Sequence, residues 1–252
     1  MAQLSVNVNK VATLRNSRGG QVPSVLEAVD VCIDAGAPGI TVHPRADRRH
    51  ITPDDVRAIA GRLRQRAPTV ELNIEGDPRP ELLDLVAEVR PSQCTLVPVS
   101  PGEITSQAGW QPASGGQSID LLPDVVRDLK ARGIRASLFV DAEKTAIRWA
   151  ASISADRVEL YTEPFARAFT KGPASARESF ARFEAAARLA DSLGLAVNAG
   201  HDLDLDNLVL FRNLPSLAEV SIGHAIVSRA LFVGLSTVVR EYLDVLQQRL
   251  LS

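Results

Sequence analysis

The feature that most constrains this chain is its rhythm. Eight short β-branched or apolar runs recur from end to end, each followed by a segment with helical periodicity or good helix formers. The runs are LSVNVN (4–9), ITVHPR (40–45), VELNIE (70–75), CTLVPV (94–99), ASLFVD (136–141), RVELYT (157–162), AVNAGH (196–201) and EVSIGH (219–224). Eight strand-then-helix units in 252 residues match a (β/α)8 TIM barrel in both count and length. A doubly wound open sheet would carry a G-x-G-x-x-G turn after its first strand, and VNKVATLRNSRGG lacks one. No linker, charge block or low-complexity run marks a second domain, so 1–252 reads as a single barrel domain.

Punctuation residues support the assignment. Pro53, Pro80 and Pro123 fall near expected helix starts, where a missing N–H costs little. After the sixth strand, Phe180, Phe183, Ala187 and Ala190 share one helical face, and Gly194 stops it. Two connections exceed what a barrel needs: 98–118 after strand four and 163–176 after strand six. They are expected to be extra loop or helical segments, the first a lid with Trp110 covering part of the site.

Composition excludes several function classes. The net charge of −2, with 45% hydrophobic and 23% charged residues, gives no support for nucleic-acid or membrane-surface binding. No apolar run reaches the roughly 18 to 20 residues needed to span a bilayer. MAQLSVNVNK lacks the charged start and apolar stretch of a signal peptide. Cys32 and Cys94 lie in apolar segments without metal-ligand spacing and read as buried free thiols. A cytoplasmic protein is expected.

Chemistry in such a barrel gathers at the C-terminal strand ends, and all four histidines fall there. His43 is in strand two and His50 in the loop after it; His201 ends strand seven and His224 ends strand eight. Alternation puts Asn7 with Asn9, His43 with Arg45, and Asn73 with Glu75 on shared faces. Glu159 stands among apolar neighbours in VELYT, either as a cross-barrel ion-pair partner or as part of an acid–base mouth. Arg18, Arg45, Arg48 and Arg49 suit phosphate, and Gly223–His224 open a helix where barrels commonly bind one. No H-x-H or H-x-x-x-H pair suggests a metal, and none is expected.

Seven stretches together resemble the pyridoxine 5'-phosphate synthase family. They are NVNKVATLRNSRG (7–19), GITVHPRADRRHI (39–51), NIEG (73–76), LVPVSPGEITSQAGW (96–110), VELYTEP (158–164), NAGHDL (198–203) and SIGHAIVSRAL (221–231). The resemblance implies a (β/α)8 barrel that condenses 3-amino-2-oxopropyl phosphate with 1-deoxy-D-xylulose 5-phosphate, using no metal or organic cofactor. The products would be pyridoxine 5'-phosphate, inorganic phosphate and water. By the same resemblance His43 and Glu75 would be general bases, His201 a general acid, and Glu159 a stabiliser of cationic charge. Asn7, Arg18, Gly223 and His224 would hold the aminoketone phosphate; Arg45, His50 and Thr105 would hold the pentulose phosphate. A homo-oligomer, often an octamer, is implied as well.

The chain departs from the family pattern at two places. Asn9 and Lys10 stand where many members have Asp then His, and Asp202 stands where many have Gly. All three are kept as substrate-binding candidates, with Lys10 expected to supply charge and a hydrogen bond to the pentulose phosphate. Two other readings remain open on the residues alone. One is a sugar-phosphate aldolase or isomerase using Lys10 as a Schiff-base nucleophile. The other is a non-catalytic phosphate-metabolite binding protein.

Overall fold

A computed structural model describes residues 1–99, 108–112 and 117–247. The strands are β1 (Gln3–Asn7), β2 (Gly39–Val42), β3 (Glu71–Gly76), β4 (Gln93–Leu96), β5 (Arg135–Val140), β6 (Arg157–Leu160), β7 (Ala196–Ala199) and β8 (Leu217–Ile222). Each pairs in parallel with the next, and β8 pairs with β1 to close the barrel. This is the (β/α)8 architecture that the eightfold rhythm predicts.

The helices that precede β5 are α1 (Asn9–Asn16), α2 (Val25–Asp34), α3 (Pro53–Arg66), α4 (Pro80–Val89) and α5 (Gln117–Ala131). Beyond β5 come α6 (Lys144–Ser152), α7 (Glu163–Thr170), α8 (Pro173–Ser192), α9 (Leu205–Phe211), α10 (His224–Val233) and α11 (Leu235–Gln247). Their starts follow local chemistry. Thr52 and Asp55 form a reciprocal capping box on α3, as do Asp204 and Asn207 on α9. Pro53 and Pro80 occupy the first helical turn as expected, whereas Pro123 lies inside α5, which begins six residues before it.

Two sequence expectations are corrected. The strands stop short of the drawn ends, so His43, Arg45, His201 and His224 all lie just beyond the sheet. At the rim the ladder gives way to side-chain partners: the His43 N–H donates to Asn9 Oδ1 at 2.9 Å rather than to a strand. Asn9 therefore does not continue the inward strand face of Asn7; it opens α1, and Lys10 follows within that helix, not in a loop. The stretch 163–176, expected as a loop or helical segment, is α7 and the start of α8. Phe165 drives this: it is fully buried against Phe169, Phe180, Phe183 and Phe211. Most of the long connection at 98–118, with Thr105, lies outside the described residues. Its described part is anchored, since Trp110 is buried and donates from Nε1 to the Leu96 carbonyl at 2.8 Å.

Alternation along the strands sorts the core into two regions. Leu4, Val6, Ile40, Val42, Ile74, Leu96, Leu138 and Val158 are buried in the apolar layer between sheet and helices. The opposite row is polar, and its hydrogen bonds run between neighbouring strands and across the barrel interior. Gln93 on β4 donates to Glu219 on β8 at 3.5 Å, and Thr95 donates to Asn73 at 3.1 Å. Arg157 bridges Asn198 at 3.1 Å and Glu219 at 3.2 Å.

Glu219 is buried, so the loss of its cation should be felt strongly. Arg157→Met is expected to cost about 3–5 kcal/mol by urea denaturation, because it strands a buried carboxylate. Adding Glu219→Gln should recover part of that loss. A double variant no more stable than Arg157→Met would show that the pair is not what holds this end of the barrel.

Candidate active site

At the C-terminal end of the strands the barrel opens into a cavity of about 380 Å³. Thirteen of the residues singled out from sequence line it: Asn7, Asn9, Lys10, His43, Arg45, Arg49, His50, Glu75, Glu159, His201, Asp202, Gly223 and His224. Arg18 does not line it; this residue is exposed, beyond the end of α1. Thr105 lies outside the described residues.

Glu75 is held from across the barrel. Asn7 Nδ2 donates to its Oε2 and Ser221 Oγ to its Oε1, both at 3.4 Å. Asn7 is itself fixed, because its Oδ1 accepts the Asn9 N–H at 3.0 Å. Burial, and then the charge of Glu219, push the Glu75 carboxyl up to about 8. Glu159 is also raised, first by burial and then by the charges of Glu75 and Glu219. It makes no salt bridge among the described residues, and its buried Oε2 has no hydrogen-bond partner among them. The ion-pair alternative for Glu159 therefore has no support.

The histidines of the β2 side are held neutral. Burial, and then the charges of His50, Arg45 and Arg79, push His43 down to about 3. Its buried Nε2 has no hydrogen-bond partner among the described residues. His50 is pushed down to about 4 by burial and then by Arg45. Its Nδ1 accepts the Ile51 N–H at 2.9 Å, so the neutral ring carries its proton on Nε2. The cavity thus contains neutral imidazoles able to accept or share protons and carboxyls that favour the protonated form.

Positive charge comes from two places. Lys10, Arg45 and Arg49 line the cavity from the segments after β1 and β2. The second is the start of α10, where no side chain caps the helix. Gly223 is needed there, since a Cβ would come within 2.8 Å of the Asn7 carbonyl oxygen. Among the described residues no group of three or more His, Cys, Asp or Glu could hold a metal ion.

Sequence reasoning missed Ser221, Phe139 and the neighbouring Glu219. The signal was present in EVSIGH, where period-two alternation puts Glu219, Ser221 and Gly223 on one face. Phe139 gives no such signal, because an aromatic residue in a strand reads as core.

The family model for "Pyridoxal phosphate biosynthesis protein PdxJ" matches residues 4–248. A pyridoxine 5'-phosphate synthase of Leptospira biflexa is 49% identical over 98% of this chain and 97% of its own length. One from Bacteroides fragilis is 50% identical over 98% of this chain and all of its own. Among solved structures, a thiamine phosphate pyrophosphorylase from Pyrococcus furiosus covers 97% of this chain and 95% of its own, with a TM-score of 0.62 at 13% identity. Phosphoribosyl anthranilate isomerase from Thermotoga maritima covers 98% of this chain and 99% of its own, with a TM-score of 0.61 at 12% identity. At that identity the two structures share the fold alone.

The raised Glu75 carboxyl has a consequence for stability. Its folded value, about 8, exceeds the ordinary 4.5, so the native state holds this proton more tightly than the unfolded chain. The penalty is absent below about pH 4.5 and grows as pH rises towards 8. Glu75→Gln should therefore match the parent in thermal stability near the lower value and gain on it steadily to the upper one. Parallel stability–pH curves for the two proteins would refute this.

Proposed function

The chain belongs to the PdxJ family of pyridoxal phosphate biosynthesis proteins and is an enzyme of vitamin B6 biosynthesis; on that premise we propose how its barrel mouth works. The reaction is the condensation of 3-amino-2-oxopropyl phosphate with 1-deoxy-D-xylulose 5-phosphate to pyridoxine 5'-phosphate, phosphate and water. The observation that carries this is one cavity containing two sources of positive charge beside His43, Glu75, Glu159 and His201. Two phosphorylated substrates need two anion sites, and joining an amine to a carbonyl needs proton transfers between them.

The aminoketone phosphate takes the start of α10, with Gly223, His224 and Asn7. Arg18 adds positive field from outside the lining. The pentulose phosphate takes Arg45, His50 and Lys10, with Thr105 assigned by resemblance. His50 donates from Nε2, and Lys10 supplies positive charge from the segment after β1. Asn9 acts less on substrate than on His43, whose backbone N–H it accepts.

His43 is neutral and its Nε2 is available, so it serves as a base. Glu75 works close to neutral pH, where a carboxyl raised to about 8 exchanges protons readily in either direction. Glu159, raised by burial, favours its protonated form and ionises against the positive charge of a developing imine. His201 returns protons to the leaving oxygens. The reading needs neither metal nor organic cofactor.

The whole chain, 1–252, is taken as one barrel domain. A homo-oligomer, an octamer by resemblance, is supported by the end of α10, where Leu231 and Phe232 are 70% and 88% exposed. A cytoplasmic location agrees with the free, buried Cys32 and Cys94, and no described helix is long and apolar enough to cross a membrane.

Protein stripped of metal should form pyridoxine 5'-phosphate only when both phosphates are supplied, with no loss of rate in chelator. Inhibition by chelator that added metal reverses would sink the cofactor-free reading. In the same assay, His43→Asn and Glu75→Gln should each lower kcat by roughly 100-fold or more while remaining folded.

Lys10→Met should raise KM for the pentulose phosphate more than for the aminoketone. Borohydride with the pentulose phosphate alone should leave Lys10 unmodified. A stable mass adduct on Lys10 would instead establish the covalent imine.

A further inference from the structure

His201 sits on a tight turn that the rest of the barrel immobilises. The Leu203 N–H donates to the Gly200 carbonyl at 3.1 Å, closing a four-residue turn over 200–203. Gly200 has no room for a side chain, because a Cβ would lie 2.0 Å from the Ser221 carbonyl oxygen. From the residue before α7, Thr162 Oγ1 donates to the His201 carbonyl; from α9, Asn207 Nδ2 donates to the Asp202 carbonyl at 3.1 Å. The backbone on either side of the imidazole is therefore held by two other elements.

Within this turn Asp202 has a φ of +63°, at the third position, where a positive φ favours glycine. A side chain held in this conformation needs a reason, and its partner supplies one. Asp202 Oδ2 lies 2.9 Å from His201 Nδ1. The imidazole is also walled by Tyr161, edge-on at 5.3 Å between ring centres, and by Phe139 at 6.4 Å. The contact with His201 holds the Asp202 carboxylate below its ordinary range, with the charge of His224 acting in the same direction.

We propose that Asp202 is the positioning residue for His201: it accepts the Nδ1–H and leaves Nε2 as the nitrogen that exchanges a proton with bound substrate. An imidazole alone can place its proton on either nitrogen. An adjacent carboxylate selects the tautomer with the proton on Nδ1 and stabilises the imidazolium, the form that donates. The aromatic walls restrict the ring's other rotations, so the pair is aimed as well as charged. Phosphate loss and dehydration both require a proton delivered to a departing oxygen, and a His201 held this way provides it. This assignment rests on the function proposed above and gives Asp202 a task different from contacting substrate.

The test uses Asp202→Asn, nearly the same shape without the charge, and Asp202→Gly, which suits a positive φ and so guards against misfolding. With both phosphates supplied, each variant should lose roughly tenfold or more in kcat with KM for either substrate little changed. In the free protein, nitrogen NMR of the His201 ring should show the Nδ1–H tautomer in the parent and its loss in both variants. Unchanged kcat with an unchanged His201 ring spectrum would overturn the assignment, and so would a rise in KM alone, which would make Asp202 a substrate contact. If the parent forms no pyridoxine 5'-phosphate, the proposed function fails, while the ring spectrum still decides the pairing.

Discussion

Closure of β8 onto β1 is the constraint from which the rest follows. In a closed parallel sheet every second side chain must enter the interior, and the others must face the helices. Here the outward row is apolar and forms the main core, while the inward row is largely polar. Buried donors and acceptors cost free energy unless they pair, roughly 1–3 kcal/mol each. The pairing is available because strands distant in sequence face one another across the barrel, as Asn7 and Ser221 face Glu75.

That interior also sets the chemistry of the mouth. Carboxyls above a low-dielectric, already acidic interior resist ionisation, which raises Glu75 and Glu159 together. Histidines buried among arginines resist protonation, which lowers His43 and His50. The consequence is a site where Glu75, Glu159, His43 and His50 favour their uncharged forms beside the arginines and Lys10. That positive charge suits the phosphorylated small molecules implied by the family.

The comparison with other barrels locates what is specific to this chain. A pyrophosphorylase and an isomerase share its course at 12–13% identity, so the scaffold alone says little about reaction. The distinguishing chemistry lies at the strand ends, on turns such as 200–203 that the barrel clamps from neighbouring elements. Rigid support from the sheet lets a short loop hold an imidazole as firmly as a helix would.

Much of this was determined by the sequence alone. Eight strand–helix alternations specify the barrel, because period-two and helical patterns bury apolar surface in only a few ways. The grouping of His43, His50, His201 and His224 at one end follows from strand direction. The family motifs named His43, Glu75, Glu159 and His201, all of which line the cavity. What only the tertiary structure decided are the relations between distant segments and the places where strands end. Asn9 opens α1 and its side chain accepts the His43 N–H, a contact that no local pattern records. The run at 163–176 folds as helix because Phe165 finds four aromatic partners, most of them far along the chain. Glu75 and Glu219 lie 144 residues apart in number (219 − 75), yet one burial environment couples them. The contact between Asp202 and His201 joins chain neighbours, but only a turn fixed by Ser221, Thr162 and Asn207 gives it direction. Local sequence sets periodicity, whereas pKa values and tautomers depend on what closure brings within reach.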